Sequence, residues 1–518
     1  MTQTETDVLV VGGGPVGLAI AIGLRRFGID CILVERHPST LDFPKGRLMR
    51  VRTMEIFRQW GLQDKIAPVV LSGEDNLFNY RGETLFSKDF TRIRLGGTDT
   101  PFSPTHDEIC SQELLEPILV DRARADGVDI RHEVRLADFV QDANFVHAEL
   151  EAPRTADAIP VRARYMIAAD GARGQTRARL GIGDQTLGVL GGRISILFEA
   201  DLGNRIRERQ SGVYLLDRPR RGTAIAAVDN RRQWLLMVPR DLEAESEDSF
   251  SYERCRELVA EALGDAGVKF KIRGRKFWTG IARVASQFAQ GRILLAGDAA
   301  HQTTPIGGMG MNLGIADAHN LAWKVAGALS GWADPRILDT YEAERKPIAE
   351  QSALASLGAA LPPKSIDALI IGAVYDSAAI IPDGTPAPAL GDPLSDYVPT
   401  GRPGHRAPHV WIDDEHQRST LDLWGEWFTL LVGLRAAELA EPMQQSTAVP
   451  LHIHAVGGPT LPDPEGILAT TYGLTPRGAV LVRPDGYVAW RSEELIAAEA
   501  ELALQAAAGA PFVRANLS

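Results

Sequence analysis

The first 36 residues constrain the fold more than any other part of the chain. Residues 8–11 form an apolar strand, Gly12-Gly13-Gly14-Pro15-Val16-Gly17 follows, residues 18–27 read as a helix, and residues 31–34 form a second strand ending at Glu35-Arg36. This is a βαβ unit with the G-x-G-x-x-G fingerprint in the setting that gives it meaning. Gly12 permits the tight turn, Gly14 lets the backbone meet a pyrophosphate, and Gly17 lets the helix pack closely on the strand. Pro15 and Val16 open the helix, whose free N–H groups suit phosphate. Glu35, with Arg36 beside it, stands where a carboxylate accepts from ribose hydroxyls. An acid there repels a 2′-phosphate, so NADP is not the ligand of this unit. The motif alone does not choose between FAD and NAD.

Residues 291–325 carry a second corner. A short apolar strand at 292–296 runs into Gly297-Asp298, a turn rich in Pro and Gly occupies 303–310, and an Ala-rich helix begins near Met311-Asn312. A carboxylate at a strand end binds ribityl or ribose hydroxyls. The turn, with Pro305, Gly308 and Gly310, lets backbone approach a flat ring. The helix start aims N–H groups and a positive dipole end at that ring, which stabilises negative charge on a reduced flavin. In isolation the segment also fits an ordinary strand–turn–helix corner. A third corner is the strand at 165–169 ending in Asp170-Gly171, followed by Arg173 and Arg177. An isolated Asp-Gly is most simply a turn.

Residues 43–62 place Lys45, Arg47, Arg50 and Arg52 before or at the start of an amphipathic helix, with Met54, Phe57 and Leu62 on one side. The basic residues read either as a solvated face or as phosphate contacts. Gln112 opens a further helical segment.

A chain of 518 residues is too long for one core and suggests two or three domains. The formal net charge of −12 argues against a nucleic-acid binder, which needs clustered Lys and Arg. The three cysteines, Cys31, Cys110 and Cys255, make neither a zinc spacing nor a CxxC pair, so reduced thiols in a cytoplasm are expected. No apolar run approaches the ~18–20 residues that span a bilayer. The N-terminus enters a strand with no basic n-region, so no signal peptide and no membrane association are expected.

Taken in order, the three corners resemble the single-component FAD aromatic hydroxylases, the para-hydroxybenzoate hydroxylase-like flavoprotein monooxygenases. Arg52-Thr53-Met54-Glu55 matches that family's Arg-Thr-Met-Glu, while Lys45-Gly46 stand where Arg-Ala is usual. Lysine keeps the charge near the pyrophosphate and loses the bidentate fork. Residues 110–119 carry the family's Gln-x-x-Leu-Glu pattern, whose Gln112 the resemblance places at the phosphate–ribityl region. It likewise gives Asp298 to the ribityl chain, the Pro305 carbonyl to substrate and flavin, Met311 and Asn312 to the flavin pyrimidine, and Asp170, Arg173 and Arg177 to FAD and the path of NAD(P)H. Gly174 stands where the family usually has Ser. There is no second G-x-G-x-x-G in a strand–turn–helix setting, so NADH or NADPH is expected to visit a groove transiently.

The implied fold is α/β, a Rossmann-like FAD-binding domain with an inserted, mostly antiparallel substrate sheet and a C-terminal thioredoxin-like domain. Residues 1–185 and 277–395 would form the FAD-binding domain and interface helices, 186–276 with 75–95 the substrate sheet, and 396–518 the tail. The tail resembles that of the phenol and polyketide hydroxylase branch. It has no cysteine, so thiol–disulfide chemistry is excluded and its role is scaffolding or contact between two copies in a homodimer. Tyr80, Tyr214 and Trp234 line the substrate pocket or fill the core, with core preferred. His452 and His454 share one face of a strand but lack a third metal ligand nearby. His106 is a candidate base that reads more simply as a loop histidine, so the catalytic residue stays unassigned. The resemblance implies that NAD(P)H reduces FAD, that reduced flavin captures O2 as a hydroperoxide, and that the distal oxygen enters an electron-rich small-molecule aromatic ring while water leaves. Oxygen insertion into a ketone, or flavin binding without turnover, are the alternatives.

Overall fold

The computed structural model describes residues 4–71, 78–94, 100–152, 158–358 and 366–512. Residues 75–77 of the expected sheet segment and 513–518 of the tail lie outside them. Apolar runs build the first sheet. Its central strands Thr4–Val11, Ala158–Ala168, Ile293–Leu295, Cys31–Glu35 and Asp129–His132 pair in parallel, with Thr4–Val11 between Ala158–Ala168 and Cys31–Glu35. Parallel strands covered on both faces read as continuous apolar runs, which is why residues 8–11 and 31–34 do not alternate. Helix Pro15–Arg26 packs on helix Gly310–Ser330 because Gly23 has no side chain: a Cβ there would lie 2.8 Å from the Ala322 Cβ. The three phosphate-facing corners of the sequence therefore sit at the carboxyl ends of three adjacent strands, where open α/β sheets bind ligands.

The second sheet has eight strands, ordered His301–Gln302, Lys271–Ala285, Asp184–Glu199, Gln233–Arg240, Thr223–Ala227, Val213–Leu216, Phe78–Gly82 and Thr91–Arg94. All its pairs are antiparallel except Val213–Leu216 with Phe78–Gly82. Period-two alternation sorts its faces. Ile194, Ile196 and Phe198 point outward into a core with helix Tyr252–Leu263. Tyr80, Tyr214 and Trp234 belong to that core, and all three are buried. The Tyr214 hydroxyl donates to the Arg209 carbonyl at 2.6 Å and the Trp234 indole N–H to Ala200 at 3.0 Å. Strand Lys271–Ala285 runs through position 276 without a break and pairs at its far end with His301–Gln302.

The tail forms a four-stranded sheet ordered Leu451–Val456, Phe428–Gly433, Ala479–Val482 and Val488–Ser492. The first pair is parallel and the next two antiparallel. With helices Ile467–Tyr472 and Ala497–Ala507 this is the thioredoxin-like order. The hairpin at Pro484-Asp485-Gly486 uses a positive φ of 76° at Gly486. Among the described residues no helix is long and apolar enough to cross a membrane.

That hairpin enters a buried ion network under helix Gly310–Ser330. Arg483 holds Glu344 with two nitrogens at 2.6 and 2.9 Å, and Lys324 Nζ reaches Glu344 at 2.6 Å. Asn320 and Ser377 donate to the same carboxylate, both at 2.7 Å. Arg483 also pairs with Asp485. Burial works against the Glu344 charge, but Arg483 and Lys324 outweigh it and hold the carboxyl well below its usual range. Burial in turn pushes Lys324 down to about 8. Removing one member of such a set strands the others. Glu344→Gln is expected to cost about 3–5 kcal/mol, read as a lowered urea midpoint of the full chain.

His405 and His409 are each held down at about 4, chiefly by burial, with Arg402 and Arg406 adding to it. Their folded values lie below the unfolded one near 6.5, so the unfolded chain binds more protons in that window. Their stabilisation is complete above pH ~6.5 and is lost as pH falls toward ~4. Urea midpoints measured from pH 7.5 to 4.5 should fall through that range, and less so in His409→Gln.

Candidate active site

The glycine turn divides its labour as the spacing requires. A Cβ on Gly12, whose φ is +111°, would meet the Ala169 carbonyl oxygen at 2.3 Å, and one on Gly17 would meet the Gly12 oxygen at 1.9 Å. A Cβ on Gly14 would meet nothing within 4 Å. Two glycines are thus needed by the protein, and the third faces open space at a helix start. Glu35 accepts from Gly13 N–H at 2.7 Å and from His37 N–H at 2.9 Å. Each carboxylate oxygen keeps a lone pair for a ribose hydroxyl. Arg36 is exposed beside it. Pro15 occupies the first turn of the helix. Val16 wedges between the first corner and the second, since Cβ atoms on Gly297 and Gly314 would lie 3.0 and 2.4 Å from its methyl carbon.

Asp298 follows Gly297 at the second corner. Its side chain is accessible, yet the surrounding protein raises its carboxyl above the usual range, with His301, Lys45 and Arg283 opposing that rise. A group both reachable and closely surrounded lines a recess. The exposed Lys45 lies at the same recess and also acts on Glu116. Gln112 accepts from Gly46 N–H at 3.3 Å and donates to Glu116 at 2.7 Å, so it fixes the Lys45-Gly46 turn. At the third corner Asp170 Oδ2 accepts from Thr176 N–H at 3.1 Å and its hydroxyl at 2.8 Å, while Oδ1 is buried without a partner. A Cβ on Gly174 would lie 2.1 Å from the Asp170 carboxyl carbon. A serine there would force this carboxylate to turn. Arg173 is exposed, and Arg177 is spent on Asp184 at 2.6 Å.

The turn before helix Gly310–Ser330 is held by side chains from elsewhere. Asn312 donates to the Leu48 carbonyl at 2.8 Å and to Gly308 at 2.5 Å, and accepts from Arg50 N–H at 2.8 Å. Arg50 reaches the Gly307 carbonyl and pairs with Asp107 at 2.6 Å. Pro305 is exposed, and its carbonyl accepts from Gly308 N–H at 3.1 Å. Gly310 sits against Thr303 and Asp298, and the Met311 sulfur lies against Gly46. Asn312 is therefore a brace for the turn through its side chain, and only its backbone is left for a ligand. Arg52 is placed elsewhere than expected: it pairs with Glu55 at 3.0 Å and donates to the Asp485 carbonyl at 2.7 Å. Asp485 belongs to the tail, and this contact leaves Arg52 in the domain interface. His106 is an exposed loop residue beside Glu108. His452 stacks on Trp427, with centroids 3.9 Å apart.

Above this recess lies the inner face of the second sheet. Cross-strand partners share a face, so register places Lys276, Ser195, Met237, Ala224 and Leu215 in one row and Leu197, Leu235, Ala226 and Val213 in the next. Phe43 packs on the second row. Gly280 of the same strand as Lys276 lies against Thr304, one residue before Pro305: a Cβ on Gly280 would stand 3.8 Å from the Thr304 Cβ. The wall and the turn therefore meet.

Residues 5–356 match the FAD binding domain model and residues 400–511 the model of the aromatic-ring hydroxylase C-terminal domain. The chain belongs to the FAD-dependent aromatic-ring hydroxylases. This hydroxylase is 37% identical to a putative polyketide hydroxylase of Streptomyces halstedii, over 96% of this chain and 95% of that one. It is 36% identical to the aklavinone 12-hydroxylase of Streptomyces purpurascens, over 97% and 98%. Among solved structures it is similar to a ternary complex of aklavinone-11 hydroxylase with FAD and aklavinone, with a TM-score of 0.88, 34% identity and coverage of 98% and 99%. FAD fits the residues present: the space at Gly14 takes a pyrophosphate, Asp298 lines a recess, and Asp170 Oδ1 is a buried acceptor without a donor.

Sequence reading missed the residues that hold the hydroxylase's corners in place. Asp317 accepts from Gly297 N–H at 3.1 Å, His301 at 2.6 Å and Arg345 at 2.8 Å. Arg50 and Asp107 brace the turn. Their partners are far apart along the chain, and no spacing rule marks them. Gly17→Ala is expected to displace the turn, lower FAD affinity at least tenfold and leave a colourless protein, checked by fluorescence titration of the apoprotein with FAD.

Proposed function

We propose that the chain is an NAD(P)H-consuming monooxygenase that hydroxylates a fused-ring aromatic compound of polyketide type. The observation that carries this reading is the width of the inner wall. Trp278, Leu197, Met237, Ala224 with Ala226, and Val213 with Leu215 come from five neighbouring strands. Four strand spacings of about 4.8 Å make a wall about 19 Å across. Ala224, Ala226 and Leu235 are already buried, with Phe43 packed on the last two, and the partly accessible stretch runs from Trp278 through Leu197 and Met237 to Val213 and Leu215. A flat multi-ring system spans that stretch better than a single phenol ring. The small side chains Ala224 and Ala226 keep its centre flat. The names of the relatives support the same class, since several are polyketide or aklavinone hydroxylases.

FAD, when bound, supplies the two-electron reduction and activation of O2, with NADH or NADPH as transient donor. The chain's own residues do the rest. Gly14 and the start of helix Pro15–Arg26 would hold phosphate, Glu35 a ribose, and Asp298 the ribityl hydroxyls. The N–H groups of Met311 and Asn312, at a helix start, would offset negative charge on the ring. The sheet wall holds the aromatic against the Pro305 turn and excludes water, which protects a reactive oxygen species from decay. The enzyme works without a disulfide in its tail.

Anaerobic flavin reduction by NADH and NADPH tests the reading, with and without a panel of phenols and fused-ring aromatics. A fused-ring compound should accelerate bleaching at least tenfold, and single-ring phenols should not. If FAD binds and no aromatic changes the rate, the reading is wrong.

A further inference from the structure

The inner wall is apolar at its centre but carries a free cation at one end. Lys276 is exposed, and the carboxylate that acts on it from nearby is Asp42. Its Nζ stands 4.6 Å from the centroid of the Phe43 ring, which packs on Leu197, Ala226 and Leu235 of the wall. Register puts Lys276 opposite Ser195, whose hydroxyl accepts from the Trp278 indole N–H at 2.8 Å. The ammonium therefore sits on the ligand-facing side, held over an aromatic face beside a polar strip formed by Ser195 and Trp278.

Its distance from the chemistry is set by the strand. Gly280 meets Thr304 at the edge of the Pro305 turn, and Lys276 lies four residues back along Lys271–Ala285. At about 3.3 Å per residue the separation is about 13 Å. That exceeds one ring and suits the far end of a fused-ring compound lying flat on the wall.

We propose that Lys276 sets substrate specificity by receiving a carboxylate carried on the ring remote from the site of hydroxylation. The inference rests on the fused-ring reading above and adds an anionic substituent to it. A lysine ammonium is a compact point charge suited to a single oxygen anion, and the Phe43 face holds it in place without neutralising it. Burial pushes the Lys276 pKa below its ordinary value, with Asp42 opposing and Lys45 adding to that effect. The ammonium is thus partly stripped of water, which strengthens its attraction for an incoming anion. Of the neighbouring cations, Arg193 donates to the Gly222 carbonyl at 2.7 Å, and Arg47 donates to the Gly212 carbonyl at 2.9 Å through one nitrogen while its Nε and Nη1 are buried without a partner. Of the three, Lys276 is the exposed one.

The test uses the FAD-loaded enzyme and two probes of equal size, anthracene-2-carboxylate and anthracene-2-carboxamide, with binding read from the flavin absorbance change. Binding is independent of turnover, so this outcome and that of the reduction assay are separable. The wild-type enzyme should bind the carboxylate at least tenfold more tightly than the amide. Lys276→Met should remove that preference while leaving amide affinity within about twofold, and Lys276→Arg should restore most of it. FAD affinity should be the same in all three, because Lys276 touches no cofactor position. Equal binding of the two probes by the wild type, a preference that survives in Lys276→Met, or a parallel loss of both probes would each overturn the assignment.

Discussion

The geometry of the cofactor recess depends on one buried carboxylate. Asp317 sits on helix Gly310–Ser330 and bonds Gly297 N–H, His301 and Arg345 at once. These partners belong to the Asp298 turn, to the edge strand His301–Gln302 of the second sheet, and to helix Asp339–Ala355. Burial alone would raise the Asp317 pKa, but His301 and Arg345 outweigh it and hold the carboxyl at about 2. Its partners therefore favour the ionised form. Arg345 extends the same set to the Leu313 carbonyl and the Tyr375 hydroxyl. A single ionised group thereby fixes the start of helix Gly310–Ser330 relative to the Asp298 turn.

The tail is tied to this centre by charge as well as by apolar contact. Arg406 pairs with Glu55, which also holds Arg52, and both partners are fully buried. Tyr487 stacks on Tyr375 with centroids 3.7 Å apart. Buried ion pairs of this kind add less stability than their number suggests. They do fix one relative placement of the domains, because any other would leave charges unpaired. A thioredoxin-like unit without cysteine thus keeps a structural use: it packs against helix Gly310–Ser330 through Trp323.

Much of this was legible in the sequence, and the reasons are local. The roles of Gly12, Gly14 and Gly17 follow from a turn in which Gly12 faces the Ala169 carbonyl, Gly17 faces Gly12 and Gly14 faces open space. The hairpin at residues 484–486 and the helix start at 310–312 follow from backbone rules that act over a few residues. Tyr214 and Trp234 proved to be core because alternation along their strands points them away from the recess. Arg52 misled for the opposite reason. Its motif is local, but its side chain is claimed by Asp485, more than four hundred residues later. Asp317, Arg50 and Asn312 were missed as braces for the same cause, since a buried network is defined by partners that only the folded chain brings together.

The buried set around Glu344 also bears on how the chain comes to be folded as it is made. Lys324 and Glu344 are synthesised well before Arg483 and Asp485, so the buried Glu344 has Lys324 but not Arg483 as a cationic partner until then. Until the ribosome has passed the 484–486 hairpin, the nucleotide-binding half holds an incomplete ionic core. A chain cut short before the hairpin would therefore keep the Lys324–Glu344 pair and lack the Arg483 partner that holds Glu344 with two nitrogens.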